Sequence, residues 1–436
     1  MTPAAHRRPA PRTEPAPEPS SAGLGSAIGP RMVLILAVTC GVAVGTVYFP
    51  QSISPLIASG LHVPPDAAAL SVTAVQAGYT AGIFLLVPLG DRLPPRPFLA
   101  TLLALTALSL LAAGCAPTLP TLIAASALTG VTTVAAPIIA PLAAGLVPAD
   151  RRGAVTGTLL SGSIGGMLLA RTFSGTLGER LGWRAPYLVA AVLTMLLATV
   201  LALTLPATAS PTRRPYPALL AESLRLLRTE PDLRRSCLYQ ACVFAGFSAV
   251  WTCLALLLTG PSYSLDAQTA GMLALAGGAT MLCTPLAGRL VDRRGPDPVN
   301  LVCLLGVLAA AAVLTAGACG GAAGLTALTA GTLLLDVAMQ SGMVANQARI
   351  FALRPDARSR LNTAYMTCAY LGGSAGSWLG TRAYRHAGWP GVCALVAALT
   401  ALALAHHLRS PSNRRFPSFT FGRRRKEPAG RARDRA

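Results

Sequence analysis

The chain has 436 residues, 53% of them apolar and only 12% charged, with a formal net charge of +20. Soluble domains carry about 25% charged residues, so the composition sets aside a water-soluble globule and points to an integral membrane protein. The positive balance does not indicate nucleic acid: Lys and Arg gather in the tails and between apolar runs, as in RRRK at 423 to 426, with no basic helix or aromatic-basic module, and solvated segments beside anionic headgroups account for them.

Residues 1 to 31 are rich in Pro, Ala and Ser and have no apolar period, so a disordered tail is expected there. No short apolar core with a cleavage site marks a signal peptide. From residue 32 onward the apolar runs reach the length of about 20 residues that a helix needs to cross hydrocarbon about 30 Å thick. Twelve spans are predicted, at about 32 to 58, 67 to 90, 97 to 116, 121 to 147, 153 to 175, 185 to 206, 236 to 260, 267 to 288, 298 to 318, 324 to 348, 361 to 381 and 388 to 408. The segment 207 to 235 is read as a linker. Within it, YPALLAESLRLLR has the period of an amphipathic helix lying at a membrane surface. Residues 409 to 436 form a basic tail.

The positive charges test this segmentation. With the amino terminus inside, 31 of the 36 Lys and Arg residues fall on the inner side and four (Arg180, Arg184, Arg382, Arg385) on the outer side. Short cytoplasmic loops are enriched in these residues, so a multi-pass protein of the cell membrane with both termini cytoplasmic is expected. The ten cysteines lie in or beside apolar runs with no Cys-x-x-Cys pair, and read as small hydrophobes rather than a disulfide framework or a zinc site.

The chain also repeats itself. An offset of 207 carries Pro148 to Pro355, Arg151 to Arg358 and the pair Gly165 and Gly166 to Gly372 and Gly373. The reading is therefore an all-α polytopic protein of two six-helix halves, 32 to 206 and 236 to 408, related by a pseudo-two-fold axis. Two sixes in parallel orientation are the plan of major facilitator transporters.

The local residues resemble that superfamily. GRLVDRRG, with Gly288, Asp292, Arg293 and Gly295, is similar to its signature Gly-x-x-x-Asp-Arg-x-Gly; the first-half copy keeps Asp91, Arg92 and Arg96 but has Val87 and Pro94 where glycines would stand. The resemblance implies that these loops latch one conformation, with Asp91 and Asp292 hydrogen-bonding helix ends and the opposite half. GTLLSGSIGG, with Gly157, Gly162, Gly165 and Gly166, is similar to the glycine-rich motif of the drug-proton antiporter branch, with Ser161-Gly162 in place of a Gly-Pro step. Small residues there let helix backbones approach, a packing role shared by Gly372 and Gly373. YFPQ, with Tyr48 and Gln51, resembles a segment of an exporter-like branch.

Asp336 stands out from the sixteen acids as the one at the centre of a predicted span. An Asp there costs about 2.5–3.5 kcal/mol on insertion scales. Gln340 and Gln347 follow at i+4 and i+11, so one face of that span is polar and should look into the bundle. Two roles are open for Asp336: proton coupling, since a low dielectric favours its neutral form, or a permanent bond to a neighbouring helix. Arg171, in the fifth span, lies about 10 Å outward of the midplane. It either joins Tyr48 and Gln51, at similar depth, in a polar cluster, or snorkels to the outer headgroups.

An ATP-driven pump would need a Gly-x-x-x-x-Gly-Lys-Ser/Thr loop, and the single lysine, Lys426, precedes Glu427. No Ser-His or metal arrangement can be assembled at depth from the five histidines. The expectation is a secondary transporter, not an enzyme, without cofactor or metal. It would be monomeric and lipid-embedded, and would export a small apolar or amphipathic compound against an ion gradient, with protons the coupling ion. Uptake of a small metabolite and a non-transporting membrane sensor are the alternatives.

Overall fold

The computed structural model describes residues 28–148, 150–206, 214–354 and 357–409. The expected disordered amino-terminal tail and basic carboxy-terminal tail, up to the flanking residues, and the start of the linker lie outside the described residues. Among them there are helices and turns and no strand.

The first half comprises α1 (Pro30–Thr46), α2 (Phe49–Leu61), α3 (Pro65–Ala68), α4 (Leu70–Gly90), α5 (Pro95–Gly114), α6 (Leu119–Thr132), α7 (Ala135–Gly145), α8 (Arg152–Leu181) and α9 (Ala185–Thr204). A linker helix, α10 (Tyr216–Thr229), precedes the second half: α11 (Pro231–Thr259), α12 (Ala267–Ala276), α13 (Thr280–Arg294), α14 (Pro296–Thr315), α15 (Gly321–Leu353) and α16 (Arg358–Arg409). By length and hydropathy nine helical stretches among the described residues can cross a bilayer, and the pair α1–α2, bent by 41°, makes a tenth. At 1.5 Å per residue the 52 residues of α16 would extend about 78 Å, far beyond a bilayer. The dihedrals divide it at Ala387 (φ −134°, ψ 15°) and at Gly388, whose φ of +60° favours glycine. Counting α16 twice and α12–α13 once brings the passages to twelve.

The spans are less regular than their apolar runs suggest. The first breaks between Thr46 and Phe49, just before Pro50, and the fourth between Thr132 and Ala135, ahead of Pro137. Backbone groups freed at such breaks must be satisfied inside the protein. Here the two breaks serve each other: the Thr133 hydroxyl donates to the Ala43 carbonyl at 2.8 Å and lies 3.0 Å from that of Thr46. Proline at the first turn of α5, α9, α11 and α14 marks where those helices start. Asp266 caps α12, accepting from the Thr269 amide at 2.8 Å; the Thr269 hydroxyl and amide hold its carboxyl below the usual range.

A glycine seam runs through each half. Gly162 and Gly166 of α8 lie directly on the backbone of Ala37 and Gly41 in α1, where a Cβ would meet the carbonyl oxygens. Gly372 and Gly376 of α16 do the same against Ala241 and Ala245 in α11, and Gly373 faces the Phe244 ring. The packing equivalents are thus offset by 210 residues (162 to 372, 166 to 376), not the 207 of the sequence repeat. Gly157 and Gly165 face open space, which corrects the packing role expected of them: a side chain at either would meet no neighbouring helix.

Outward-facing surfaces are hydrocarbon. Leu105, Leu108 and Leu111 of α5 and Val192, Leu196 and Leu203 of α9 are exposed, a surface that lipid rather than water would cover. The linker helix α10 instead buries Leu219 and Leu226 and keeps its charges outward. Glu222 pairs with Arg214 at 3.1 Å and with Arg360 at 3.0 Å, while the Tyr216 hydroxyl donates to the Leu85 carbonyl. The next helix already begins at Pro231, so the linker ends earlier than the sequence reading placed it.

Gly166→Ala is expected to cost about 1–3 kcal/mol and to lower the thermal unfolding midpoint in detergent, whereas Gly165→Ala should leave it in place. Identical midpoints for the two variants would show that the α1–α8 seam does not contribute to stability.

Candidate functional site

A cavity of about 400 Å³ lies between the two halves, bordered by α1, α4, α7, α8, α11, α15 and α16. It extends towards the end of the bundle that carries the linker, where Arg358 and Ser359 line it. At the far end the halves are in contact. Gly175 of α8 packs on Ala267 of α12, and a Cβ on Gly271 would come within 2.6 Å of the Arg171 carbonyl oxygen. Thr172 donates to the Gly271 carbonyl at 2.8 Å, the Ala267 amide donates to Glu179 at 3.1 Å, and Arg385 meets Asp66 at 3.3 Å.

Aromatic rings floor the cavity. The hydroxyls of Tyr48 and Tyr370 are 3.4 Å apart across the halves, Tyr370 meets the ring of Tyr79 edge-on at 4.5 Å, and Phe244 packs on Tyr370 at 4.9 Å. Gln340 and Gln347 line the wall beside Met339 and Met343. The remaining polar residues expected at this site, Asp336, Arg171 and Gln51, lie behind the floor and are buried.

Trp251 of α11 brings those residues together. Its indole N–H donates to one Asp336 oxygen at 3.0 Å, and its ring faces the Arg171 guanidinium 3.9 Å from the centroid. The geometry suits both partners, since an aromatic edge is positive and its face negative. Arg171 also lies over Tyr48 at 5.0 Å and Phe247 at 5.4 Å, and its Nε donates to Gln51 at 2.9 Å. Arg171 is 0% exposed, which removes the snorkelling alternative; its side chain turns inward to Tyr48 and Gln51. No direct Arg171–Asp336 bond forms, because the indole stands between them.

Four atoms in the cluster have no hydrogen-bond partner among the described residues: the second Asp336 oxygen, both terminal guanidinium nitrogens of Arg171 and the Gln51 amide nitrogen. That free oxygen looks onto Gly277, in the short 3₁₀ turn that breaks the eighth span, where a Cβ would stand 2.7 Å away. The cluster therefore draws on α2, α8, α11 and α15 and abuts the α12–α13 break. Sequence reading found four of its members by depth and polarity and missed Trp251, which lies in an apolar run; an indole far from any headgroup belt was the available signal.

The loop residues separate into two groups. Asp91, at the end of α4, is half-buried; burial pushes its carboxyl up and the Arg360 guanidinium of the opposite half pulls it back down. Arg96 donates to the Ala202 carbonyl at 2.6 Å within its own half, and Arg92 is exposed. Asp292 and Arg293 are exposed with no ion pair among the described residues, Gly288 faces open space, and Gly295 caps α14 with a φ of +81°. The latch expected at Asp292 is thus not formed among the described residues in this conformation, whereas Asp91 faces Arg360 of the other half. No group of three or more His, Cys, Asp or Glu suited to a metal occurs among the described residues.

The Major Facilitator Superfamily profile matches residues 33–320 and 272–432. The putative uncharacterized transporter YgaY of Escherichia coli (strain K12) is 36% identical over 86% of this chain and 94% of its own length. A probable transporter of Streptomyces coelicolor is 35% identical over 90% of this chain and 91% of its own. The chloramphenicol resistance protein of Streptomyces lividans is 31% identical over 64% of this chain and 70% of its own. Among solved structures, the nucleoside transporter NupG superposes with a TM-score of 0.71 at 12% identity, covering 87% of this chain and 98% of that one, a likeness of fold.

Removing the indole N–H by Trp251→Phe should leave Asp336 with neither oxygen bonded, a loss of about 1–3 kcal/mol. A double-mutant cycle with Asp336→Leu, read from unfolding midpoints, should give a much smaller loss. Additive losses would mean that indole and carboxylate do not interact.

Proposed function

The chain belongs to the Major Facilitator Superfamily, and from that premise we propose that this membrane transporter exports a small apolar or amphipathic compound in exchange for protons. The observation that carries the reading is the Asp336–Trp251–Arg171 cluster, a carboxylate and a guanidinium from opposite halves buried against the edge and the face of one ring.

Burial of an ionised pair is tolerated only while each charge compensates the other. A proton reaching Asp336 cancels its charge and weakens the indole bond, because hydrogen bonds to ionised acceptors are about twice as strong as neutral ones. Arg171 is then a buried cation without a counter-charge, and the arrangement that encloses it is disfavoured relative to one that admits water. Protonation at Asp336 thereby biases the contact between the halves, as alternating access around a midplane site requires. The linker end, with most of the positive charge, is assigned to the cytoplasm of a cell membrane, so the cavity would receive its solute from inside. A mainly apolar wall without an acid suits a compound of low charge, and a relative named for chloramphenicol resistance supports export over uptake.

In proteoliposomes under an imposed pH gradient, with a solute panel that includes chloramphenicol, the wild type should move solute against protons. Asp336→Asn should abolish the gradient-driven flux while keeping solute counterflow, which needs no proton. An unchanged rate and pH dependence in Asp336→Asn would refute coupling at this residue. Arg171→Ala at normal expression should cut driven transport at least about tenfold, the scale of losing a buried charge partner; transport within twofold of wild type would confine Arg171 to packing.

A further inference from the structure

The cavity wall is unusual in its amides. Gln240, Gln340, Gln347 and Asn362 all line it, the first two almost fully buried, and its single charged residue is Arg358 at the mouth. Gln240 receives the Tyr365 hydroxyl on its oxygen at 2.9 Å, and its amide nitrogen has no partner among the described residues. Gln340 forms no hydrogen bond with a described residue. A buried amide nitrogen left without a partner costs about 1–3 kcal/mol, so Gln240 favours a guest that satisfies it, and Gln340 lines the same cavity.

Planar surfaces sit beside the amides. Phe244 follows Gln240 by one helical turn on α11, so both face the cavity. Its ring plane is fixed by stacking on Phe247 at 5.4 Å and by the edge of Tyr370. Met339 and Met343 flank Gln340 with side chains that adapt to a flat guest. A cation would find no acid on this wall and would meet Arg358 at the mouth. A sugar would bring more hydroxyls than the amides can satisfy.

We propose that the cavity selects uncharged planar aromatic solutes carrying a lactam or carboxamide edge, which Gln240 and Gln340 recognise with their own donor and acceptor while the ring lies against Phe244. This rests on the transporter reading but is tested by binding alone, so a failure of proton coupling and a failure of this selectivity are told apart.

The probe pair is carbostyril, a bicyclic lactam, and its O-methyl ether, which keeps the ring and blocks the edge. With the full chain in nanodiscs, calorimetry should show carbostyril binding at least about tenfold more tightly than the ether, the scale of one or two such bonds. Gln240→Leu and Gln340→Leu should each reduce that ratio severalfold and leave the ether's affinity unchanged. Tyr365→Phe, which removes the partner of Gln240 but not its amide, should keep the ratio. Equal affinities for the two probes in the wild type would overturn the proposal. So would tighter binding of N-methylquinolinium or quinaldate, or a ratio that collapses in Tyr365→Phe and persists in both glutamine variants.

Discussion

Hydrocarbon offers no partner to a polar group, and that constraint organises the centre of this protein. Arg171 and Asp336 would each be a liability if placed alone at depth, yet neither is bonded to the other. The Trp251 indole resolves this because it is amphoteric in the electrostatic sense: its N–H edge meets the carboxylate and its face meets the guanidinium. The three side chains come from α15, α8 and α11, so the cluster is complete only while the first half lies against the second. A local satisfaction problem becomes a global contact.

The small residues sort the interfaces by what each must do. Seams within a half, Gly162 and Gly166 on α1 and Gly372 and Gly376 on α11, bring backbone onto backbone over successive turns. Close packing of that kind makes rigid bodies, because interiors at crystal-like density resist deformation. The seam between halves at the far end is shorter, built on Gly175 and Gly271 with a few hydrogen bonds around them. It is also the seam nearest the charge cluster, through the Arg171 carbonyl. The break at Gly277–Ala279 places a deformable turn between α12, which packs on the first half there, and α13. Rigid halves joined by a modest, chemically sensitive contact are what a rocking motion needs.

Much of this was legible from residue order. Apolar run lengths gave the crossings, and a carboxylate in mid-span gave Asp336, because cost makes such a residue rare. Equal depth linked Arg171 with Tyr48 and Gln51, although depth alone could not tell an inward turn from snorkelling. Other features could not be read. A residue's bearing around a helix changes by 100° with each step, so composition cannot say that Gly162 and Gly166 face α1 while Gly157 and Gly165 do not. The breaks at Val47 and Thr133 depend on hydroxyls from another span. Trp251 counts as hydrocarbon in any hydropathy window, and only its neighbours in space make it a donor.

The aromatic floor gives the architecture its last consequence. Tyr48 and Tyr370, one from each half, separate the cavity from the charges, so a solute resting on the floor does not touch Asp336. If proton and solute shared one carboxylate, exchange could proceed by direct competition. In the proposed exchange the floor would require another route, and Tyr48 is placed to supply it: its hydroxyl meets Tyr370 on the cavity side while its ring lies 5.0 Å from the Arg171 guanidinium on the other. A solute that shifted Tyr48 would disturb the same cation that the proposal balances against Asp336. On that proposal the two ligands would be coupled through the contact between the halves, each biasing it without meeting the other.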